Sequence, residues 1–162
     1  DEFSQFARMP TPKAVPTDLH RLLTDTLALY NGVLGEVRIE RSFAPDLPPV
    51  SLDAEQLRRV VINLVDNAVE AVNRHGTIRI QTQHDRGAGV ARIVVADDGP
   101  GIPPAERDKL FLPYYSTKKR GSGLGLAIVR AIIRAHKGKV YLASDGVSGS
   151  RFSVVLKRAV PT

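Results

Sequence analysis

Residues 53–72 read DAEQLRRVVINLVDNAVEAV and carry the strongest helix signal in the 162-residue chain. Asp53 is a good N-terminal cap, and Gln56 follows it three residues later. The apolar residues after this cap recur at helical spacing and form one stripe, made of Leu57, Val60, Val61, Leu64, Val65, Ala68, Ala71 and Val72. Gly76 is expected to end the helix. The stretch therefore predicts a long amphipathic helix that packs on a core.

Alternating stretches on both sides of this helix predict a sheet. Apolar and polar residues alternate in four places, which are residues 37–43, 77–83, 139–144 and 150–156, and residues 90–96 predict a more apolar strand. A turn at residues 85–89 joins the strands at residues 77–83 and 90–96 into a hairpin. A helix capped by Thr17 or Asp18 is expected before Gly32, and another is expected to begin at Ser122. Helices and strands in this order predict a domain that contains both.

The N-terminal residues predict a boundary. Phe3 and Phe6 have helical spacing without a start signal, so residues 1–9 resemble the end of a helix that begins upstream. Three prolines in residues 10–16 interrupt it, which favours a linker. We therefore expect the folded domain to span residues 17–162.

Composition excludes several classes of protein. The chain is 43% hydrophobic and 25% charged, as is typical of a globular domain. It has no cysteine, which excludes a disulfide framework, a cysteine-ligated zinc site and a catalytic thiol. The longest run of apolar residues and glycine, residues 123–129, is far shorter than the ~20 residues that cross a bilayer. We expect a cytoplasmic domain without a membrane segment.

The excess positive charge lies in one segment. The net charge is +6, which first suggests a nucleic-acid or membrane-surface partner. Residues 117–139 contain seven basic residues and no acidic one, whereas the rest of the chain carries 16 basic against 17 acidic. The same segment contains Gly121, Gly123 and Gly125. We therefore expect a small phosphate ligand and no nucleic acid.

Two asparagines on the long helix are candidate ligands. Asn63, Asn67 and Glu70 share one helix face beside the apolar stripe. An amide oxygen suits a hard cation such as Mg²⁺, which takes the rest of its shell from phosphates and water. The alternative is that these residues are polar boundary positions of an amphipathic helix.

A second motif, DDGPGI at residues 97–102, directly follows an apolar strand. A carboxylate at a strand end can accept hydrogen bonds from an exocyclic amine, and glycines let a flat ring approach the backbone. This chemistry suits a purine. An ordinary Asp-Gly turn is the alternative.

A third motif, KKRGSGLGL at residues 118–126, leads into a helix. Glycines at a helix start expose N–H groups to an anion, and Lys118 adds positive charge. The spacing matches neither the Rossmann fingerprint nor the P-loop. A flexible basic loop is the alternative. Residues 98–123 together form a connection long enough to be a lid.

Taken in this order, the asparagine helix, DDGPGI, FLPYYSTK at residues 111–118 and GSGLGL at residues 121–126 resemble the ATP-binding catalytic domain of bacterial sensor histidine kinases. That family shares a superfamily with gyrase, Hsp90 and MutL. The resemblance covers residues 17–158 and implies an α+β fold, a two-layer α/β sandwich with a mixed, mostly antiparallel sheet on three helices. NAVEA and YYSTK resemble the nitrogen-regulation branch.

The resemblance also implies roles for individual residues. Asn67 would bind Mg²⁺, Asn63 would lie beside the metal and the terminal phosphates, and Asp97 would accept from the adenine amine. The base would be bordered by Gly99, Gly101 and Ile102, with the Ser150 hydroxyl nearby. The lid would contribute Phe111, Tyr115 and Lys118. The phosphates would be wrapped by Gly121, Gly123, Leu124 and Gly125. The role of Glu70 stays open.

Asn63 also bears on the expected reaction. Hydrolysing members of the superfamily have a Glu four residues before the metal asparagine, whereas Asn63 cannot take a proton. The resemblance therefore implies transfer of the γ-phosphoryl group to a protein histidine rather than hydrolysis. None of the four histidines fits the acceptor, which would lie upstream on dimerisation helices.

The resemblance implies partners and leaves two alternatives. The full protein would be a homodimer that acts on a response regulator, and it would be anchored in the inner membrane. An anti-sigma-factor-type serine kinase of the same superfamily is one alternative. A basic nucleic-acid-binding module is the other.

Overall fold

The computed structural model describes residues 9–73, 75–113, 125–144 and 148–159. Within these ranges the elements are, in order, β1 (Val15–Thr17), α1 (Leu19–Leu27), β2 (Val37–Ser42), β3 (Val50–Leu52), α2 (Ala54–Val72), β4 (Gly76–Asp85), β5 (Val90–Asp97), α3 (Pro104–Arg107), α4 (Gly125–Ala135), β6 (Lys139–Ser144) and β7 (Ser150–Lys157). A single 3-10 turn, Ala28–Tyr30, follows α1.

Among the described residues, five strands form the main sheet in the order β2-β4-β5-β7-β6. β2 pairs with β4 in parallel, and the other three pairings are antiparallel. Alternate residues of the central strands are buried, among them Ile80, Ile93 and Val154. The predicted mixed, mostly antiparallel sheet is confirmed.

The longer helices, α1, α2 and α4, share the hydrophobic core with the buried face of this sheet. On α2 the predicted apolar stripe is buried, with Leu57, Val60 and Leu64 at most 1% exposed. Each such side chain contributes about 1.5–3 kcal/mol through burial. The Asp53 side chain accepts a hydrogen bond from the Gln56 backbone N–H, which confirms the predicted cap. Among the described residues the two-layer sandwich is therefore as expected.

The end of α2 differs from the prediction. The helix ends at Val72, and Asn73 follows it in the left-handed conformation with φ of 49°. Asparagine tolerates this conformation because its short polar side chain forms local hydrogen bonds. Gly76 therefore begins β4 and does not end the helix. The predicted helix start at Ser122 lies outside the described residues.

The segment before α1 also differs from the prediction. Val15–Thr17 pairs antiparallel with Val50–Leu52, so a strand occupies the last two positions of the predicted linker. A backbone pairing of this kind needs a partner more than 30 residues away in the chain, and the local sequence does not signal it. The helix cap is Asp18, which accepts from the Arg21 N–H. The division into an N-terminal segment and a domain stays a prediction.

Within the described ranges, no helix combines the length and the hydropathy of a membrane-spanning segment.

Candidate functional site

Asp97 lies at the end of β5, the central strand of the sheet, and its side chain is buried. Its Oδ2 accepts a hydrogen bond of 2.8 Å from the Ser150 hydroxyl, which lies directly opposite on β7. Its Oδ1 accepts a hydrogen bond of 2.9 Å from the Gly99 N–H. Two donors therefore hold the carboxylate in one orientation. A carboxylate has about four lone-pair positions, so the hydrogen bonds from described residues leave about two for a ligand.

Gly99 lets the loop after β5 contact helix α2. A Cβ at this position would lie 2.7 Å from the Ala71 carbonyl oxygen and 3.0 Å from Asp97 Oδ1. The first atom belongs to the helix backbone and cannot move aside. The absence of a side chain is therefore what brings the DDGPGI loop against the C-terminal part of α2.

Gly149, directly before Ser150, lets strand β7 begin close to the Asp97 backbone. Its φ is +117°, and a Cβ would lie 2.0 Å from the Asp97 carbonyl oxygen. Sequence reasoning missed this residue, although its place directly before Ser150 was a usable signal. Gly101 also has a positive φ, 83°, in the turn that follows the carboxylate.

The asparagines of α2 lie between two segments of the candidate site. Asn63 Nδ2 donates to the carbonyl oxygen of Gly125, the first residue of α4, at 3.4 Å. Eight residues later, about 12 Å along the helix, Ala71 contacts the loop at Gly99. Asn67 lies between these two contacts and is half-buried. Along α2, Asn67 therefore lies between the contact with the start of α4 and the contact with the loop after Asp97.

Ser144 and Arg107, which sequence reasoning did not select, hold the segment that leads to α3. The Ile102 N–H donates to Ser144 Oγ at 2.9 Å, and the same hydroxyl donates to the Gly149 carbonyl at 2.7 Å. Arg107 donates to the carbonyl oxygens of Ile102 and Ser144. Ser144 pairs with Ser150 in the β6–β7 hairpin, and this position opposite a candidate residue was the available signal.

Phe111 packs at the edge of the core. Its ring meets Phe152 edge to face, with centroids 6.1 Å apart. The Arg130 guanidinium lies 5.8 Å from the Phe111 centroid, a cation–π arrangement. Burial, and then the neighbouring charge of Arg134, lowers the pKa of Arg130. The described part of the predicted lid is therefore attached to α4 and to β7.

Five predicted site residues lie outside the described residues, so nothing is said of their positions: Tyr115, Lys118, Gly121, Gly123 and Leu124. Contacts link two groups among the others. Asp97 contacts both Gly99 and Ser150, and Asn63 contacts Gly125.

The histidines occupy positions that suit structural or surface roles. His20 stacks on Phe43 with centroids 4.7 Å apart, and its Nε2 lies 2.7 Å from Thr82 Oγ1. Burial lowers the pKa of His20. The remaining histidines lie before β4, on β4 and after α4: His75, His84 and His136.

The described residues thus form an α/β sandwich in which a strand-end carboxylate and a glycine-containing loop lie against a helix that carries two asparagines. A family model described as histidine kinase-, DNA gyrase B- and HSP90-like ATPase matches residues 52–160. The chain belongs to this family, and its relatives place it among the histidine kinase catalytic domains.

Two curated relatives are sensor kinases. The chain is 38% identical over 141 residues to sensor histidine kinase ZraS of Escherichia coli, covering 86% of this chain and 30% of that protein. It is 34% identical over 156 residues to sensory histidine kinase/phosphatase NtrB of Rhodobacter capsulatus, covering 89% of this chain and 44% of that protein. The chain thus spans less than half the length of these relatives. The likeness to the nitrogen-regulation branch rests on NtrB.

Two solved structures share the fold. Full-length ShkA in complex with AMPPNP superposes with a TM-score of 0.88 at 28% identity, covering 99% of this chain and 35% of that one. Histidine kinase ThkA in complex with response regulator protein TrrA superposes with a TM-score of 0.81 at 26% identity, covering 98% of this chain and 46% of that one.

Proposed function

We propose that this domain binds ATP with Mg²⁺ and transfers the γ-phosphoryl group to a histidine on a dimerisation domain outside the given sequence. The observation that carries the proposal is the buried Asp97 carboxylate, which accepts hydrogen bonds from Ser150 and Gly99 and, among the described residues, keeps lone pairs for a ligand. ShkA, which shares the fold, was solved with AMPPNP, an ATP analogue, and this supports the choice of nucleotide.

In this proposal, residues at the end of β5 recognise adenine. Asp97 accepts from the exocyclic amine of the base, because an ionised carboxylate can only accept hydrogen bonds. Ser150 and the Gly99 N–H orient it. Gly99 and Gly101 are expected to lie beside the base, and Ile102, packed against the core, borders the ring.

The phosphates extend toward the start of α4. Gly125 is the first residue of this helix, and the backbone N–H groups and dipole of a helix start favour an anion. Asn63 lies beside this position, and Lys118, Tyr115, Gly121, Gly123 and Leu124 are expected to complete the phosphate contacts.

Asn67 is the proposed protein ligand of Mg²⁺. Its amide oxygen is a hard donor, and a half-buried position on α2 restricts its side chain. Mg²⁺ bound with ATP takes most of its oxygens from phosphate and water, so one amide is a sufficient protein contribution. When bound, the ion neutralises charge on the β- and γ-phosphates.

In the proposed transfer, a nitrogen of the acceptor imidazole forms a bond to the γ-phosphorus while the bond to the β–γ bridging oxygen breaks, and ADP leaves with that oxygen. The chain's contribution is to position the nucleotide and to exclude other orientations. Asn63, which occupies the place of a general base, cannot remove a proton from water, so hydrolysis does not compete through this residue.

We place the domain in the cytoplasm, as part of a homodimeric and membrane-anchored parent kinase with a response regulator as its partner. The ThkA complex with TrrA supports the type of partner. The NtrB likeness favours a role in nitrogen regulation.

Calorimetric titration of the chain with ATP and Mg²⁺ tests the proposal. The wild-type protein should give saturable heat. Asp97→Ala should abolish it, because the base loses its acceptor, and Asn67→Ala should weaken it in Mg²⁺ more than in EDTA. Asp25→Ala and Asn31→Ala are matched controls at exposed positions and should bind as the wild type does.

Two results would contradict the proposal. The first is a wild-type protein that is folded and gives no saturable heat at millimolar ATP. The second is an Asp97→Ala variant that binds ATP with the affinity of the Asp25→Ala control.

A further inference from the structure

Residues 10–13 and the end of α4 both contact the start of α2. The Asp53 carboxylate caps the helix through the Gln56 N–H at 3.2 Å and also accepts from the Lys13 N–H at 2.9 Å. Gln56 Nε2 donates to the Pro10 carbonyl at 3.0 Å. Partial burial acts to raise the pKa of Asp53, yet these backbone donors hold it below its usual value. The start of α2 thus holds residues 10–13 against the helix.

Asp53 also contacts the end of α4, through His136. The Asp53 N–H lies 3.0 Å from His136 Nε2, and His136 Nδ1 lies 2.8 Å from the Ile132 carbonyl oxygen. A backbone N–H can only donate, so Nε2 accepts. A carbonyl oxygen can only accept, so Nδ1 carries the proton. The geometry therefore assigns a neutral imidazole in the Nδ1–H form.

Helices α2 and α4 run in opposite directions, and one hydrogen bond joins them near each end of their contact. Asn63 bonds to Gly125 at one end, and Asp53 bonds to His136 at the other. The two hydrogen bonds are about 15 Å apart along each helix, at 1.5 Å per residue. Between them, apolar side chains of both helices pack in the same core, and such contacts alone define the axial position less sharply than directional hydrogen bonds do.

We propose that His136 is a positioning residue for the nucleotide site. By accepting from the Asp53 N–H it sets the axial position of α4, and so keeps Gly125 beside Asn63. Because Asp53 also holds Lys13, the docking of residues 10–13 and the position of α4 are coupled through one residue. The inference rests on the proposed function, since the site it positions is the proposed phosphate site.

Substitutions at His136 test this role. His136→Leu removes the acceptor, whereas His136→Gln keeps an amide oxygen near the place of Nε2. We expect His136→Leu to weaken ATP-Mg²⁺ binding about 2-fold to 30-fold, the range for residues that act through a neighbouring network. His136→Gln should restore most of the affinity. His75→Leu, at an exposed histidine, is the matched control and should bind as the wild type does.

NMR spectroscopy tests the hydrogen bonds of His136 without nucleotide. The ¹⁵N shifts of the His136 imidazole in the wild-type chain should show the Nδ1–H form at neutral pH. Amide exchange at Lys13 should be faster in His136→Leu than in His75→Leu, because Asp53 is then held less firmly.

The outcomes separate the two proposals. If the wild type binds ATP and His136→Leu binds equally well, the positioning role is overturned and the proposed function stands. If the wild type binds no nucleotide, the proposed function fails and the positioning role fails with it. If His136→Leu does not fold, the wild-type spectrum decides, and an Nε2–H imidazole overturns the inference.

Discussion

Replacement of Asp97 by asparagine should change which base the domain prefers. The wild-type carboxylate accepts from Gly99 N–H at 2.9 Å and from Ser150 Oγ at 2.8 Å. In Asp97→Asn the amide oxygen must stay opposite Gly99, because a backbone N–H can only donate. The amide nitrogen then takes the second position, where the Ser150 hydroxyl can turn and accept. The local fold should survive at a cost of about 1–2 kcal/mol.

The affinity for ATP should fall because of the second N–H of the new amide, the one that does not bond to Ser150. It meets the exocyclic amine of adenine donor to donor, so the hydrogen bond from the ligand to a charged acceptor is lost. Such a bond contributes about 1.5–3 kcal/mol, which corresponds to roughly 10-fold to 150-fold in affinity for ATP. Inosine triphosphate has a carbonyl oxygen in place of the amine, and this oxygen can accept from the new amide N–H. The variant should therefore bind it at least as well as ATP.

Competitive titration with ATP and inosine triphosphate, each with Mg²⁺, measures the ratio of the two dissociation constants. Thermal unfolding of the same samples checks that Asp97→Asn is folded. Asp25→Asn, at an exposed position on α1, is the control and should keep the wild-type preference for ATP. An Asp97→Asn protein that binds both nucleotides with the wild-type ratio would refute adenine recognition by this carboxylate.

Two further predictions concern stability. Gly99→Ala places a Cβ 2.7 Å from the Ala71 carbonyl oxygen and should cost about 1–3 kcal/mol in urea unfolding, whereas Gly87→Ala, with its nearest atom at 3.6 Å, should change stability by under about 0.5 kcal/mol; equal losses would contradict the close approach. Burial lowers the pKa of His20 below its usual value of 6.5, so the unfolded chain binds more protons there. The stabilisation is present above pH 6.5 and is lost as pH falls through the folded-state pKa. The wild type should therefore lose more unfolding free energy on acidification than His20→Phe, and parallel curves would argue against it.

The main elements could be predicted because their signals are local. The apolar stripe of α2 repeats at helical spacing, and most strands of the main sheet alternate with period two. The type and the buried face of each such element can therefore be read from its own residues. The cap at Asp53 was equally readable, since it depends on a residue three positions away.

One difference arose where a distant partner decides. β1 exists because Val15–Thr17 pairs with β3, and the local sequence does not signal that pairing. Asn73 ends α2 because a left-handed residue is needed to turn the chain into β4, and both Asn73 and Gly76 were able to supply it. Propensity alone did not choose between them.

For the candidate site, the sequence indicated single residues but not the contacts between them. Asp97 and Gly99 were recognisable from their place after an apolar strand and Asn63 from its place beside an apolar helix stripe, whereas Ser150 was selected only through the family resemblance. The pairing of these residues was not recognisable, because the partners are far apart in the chain: 53 residues for Ser150 and Asp97, and 62 for Asn63 and Gly125.

Local periodicity by itself determined the longer helices and the strands of the main sheet, and it showed which polar groups lie beside or directly after them. The tertiary structure alone decided which of those groups meet, including His136 and Asp53 across 83 residues. The reason is physical: strand register and helix packing are set by burial of the shared core, and only that burial brings the ends of distant elements within hydrogen-bonding distance.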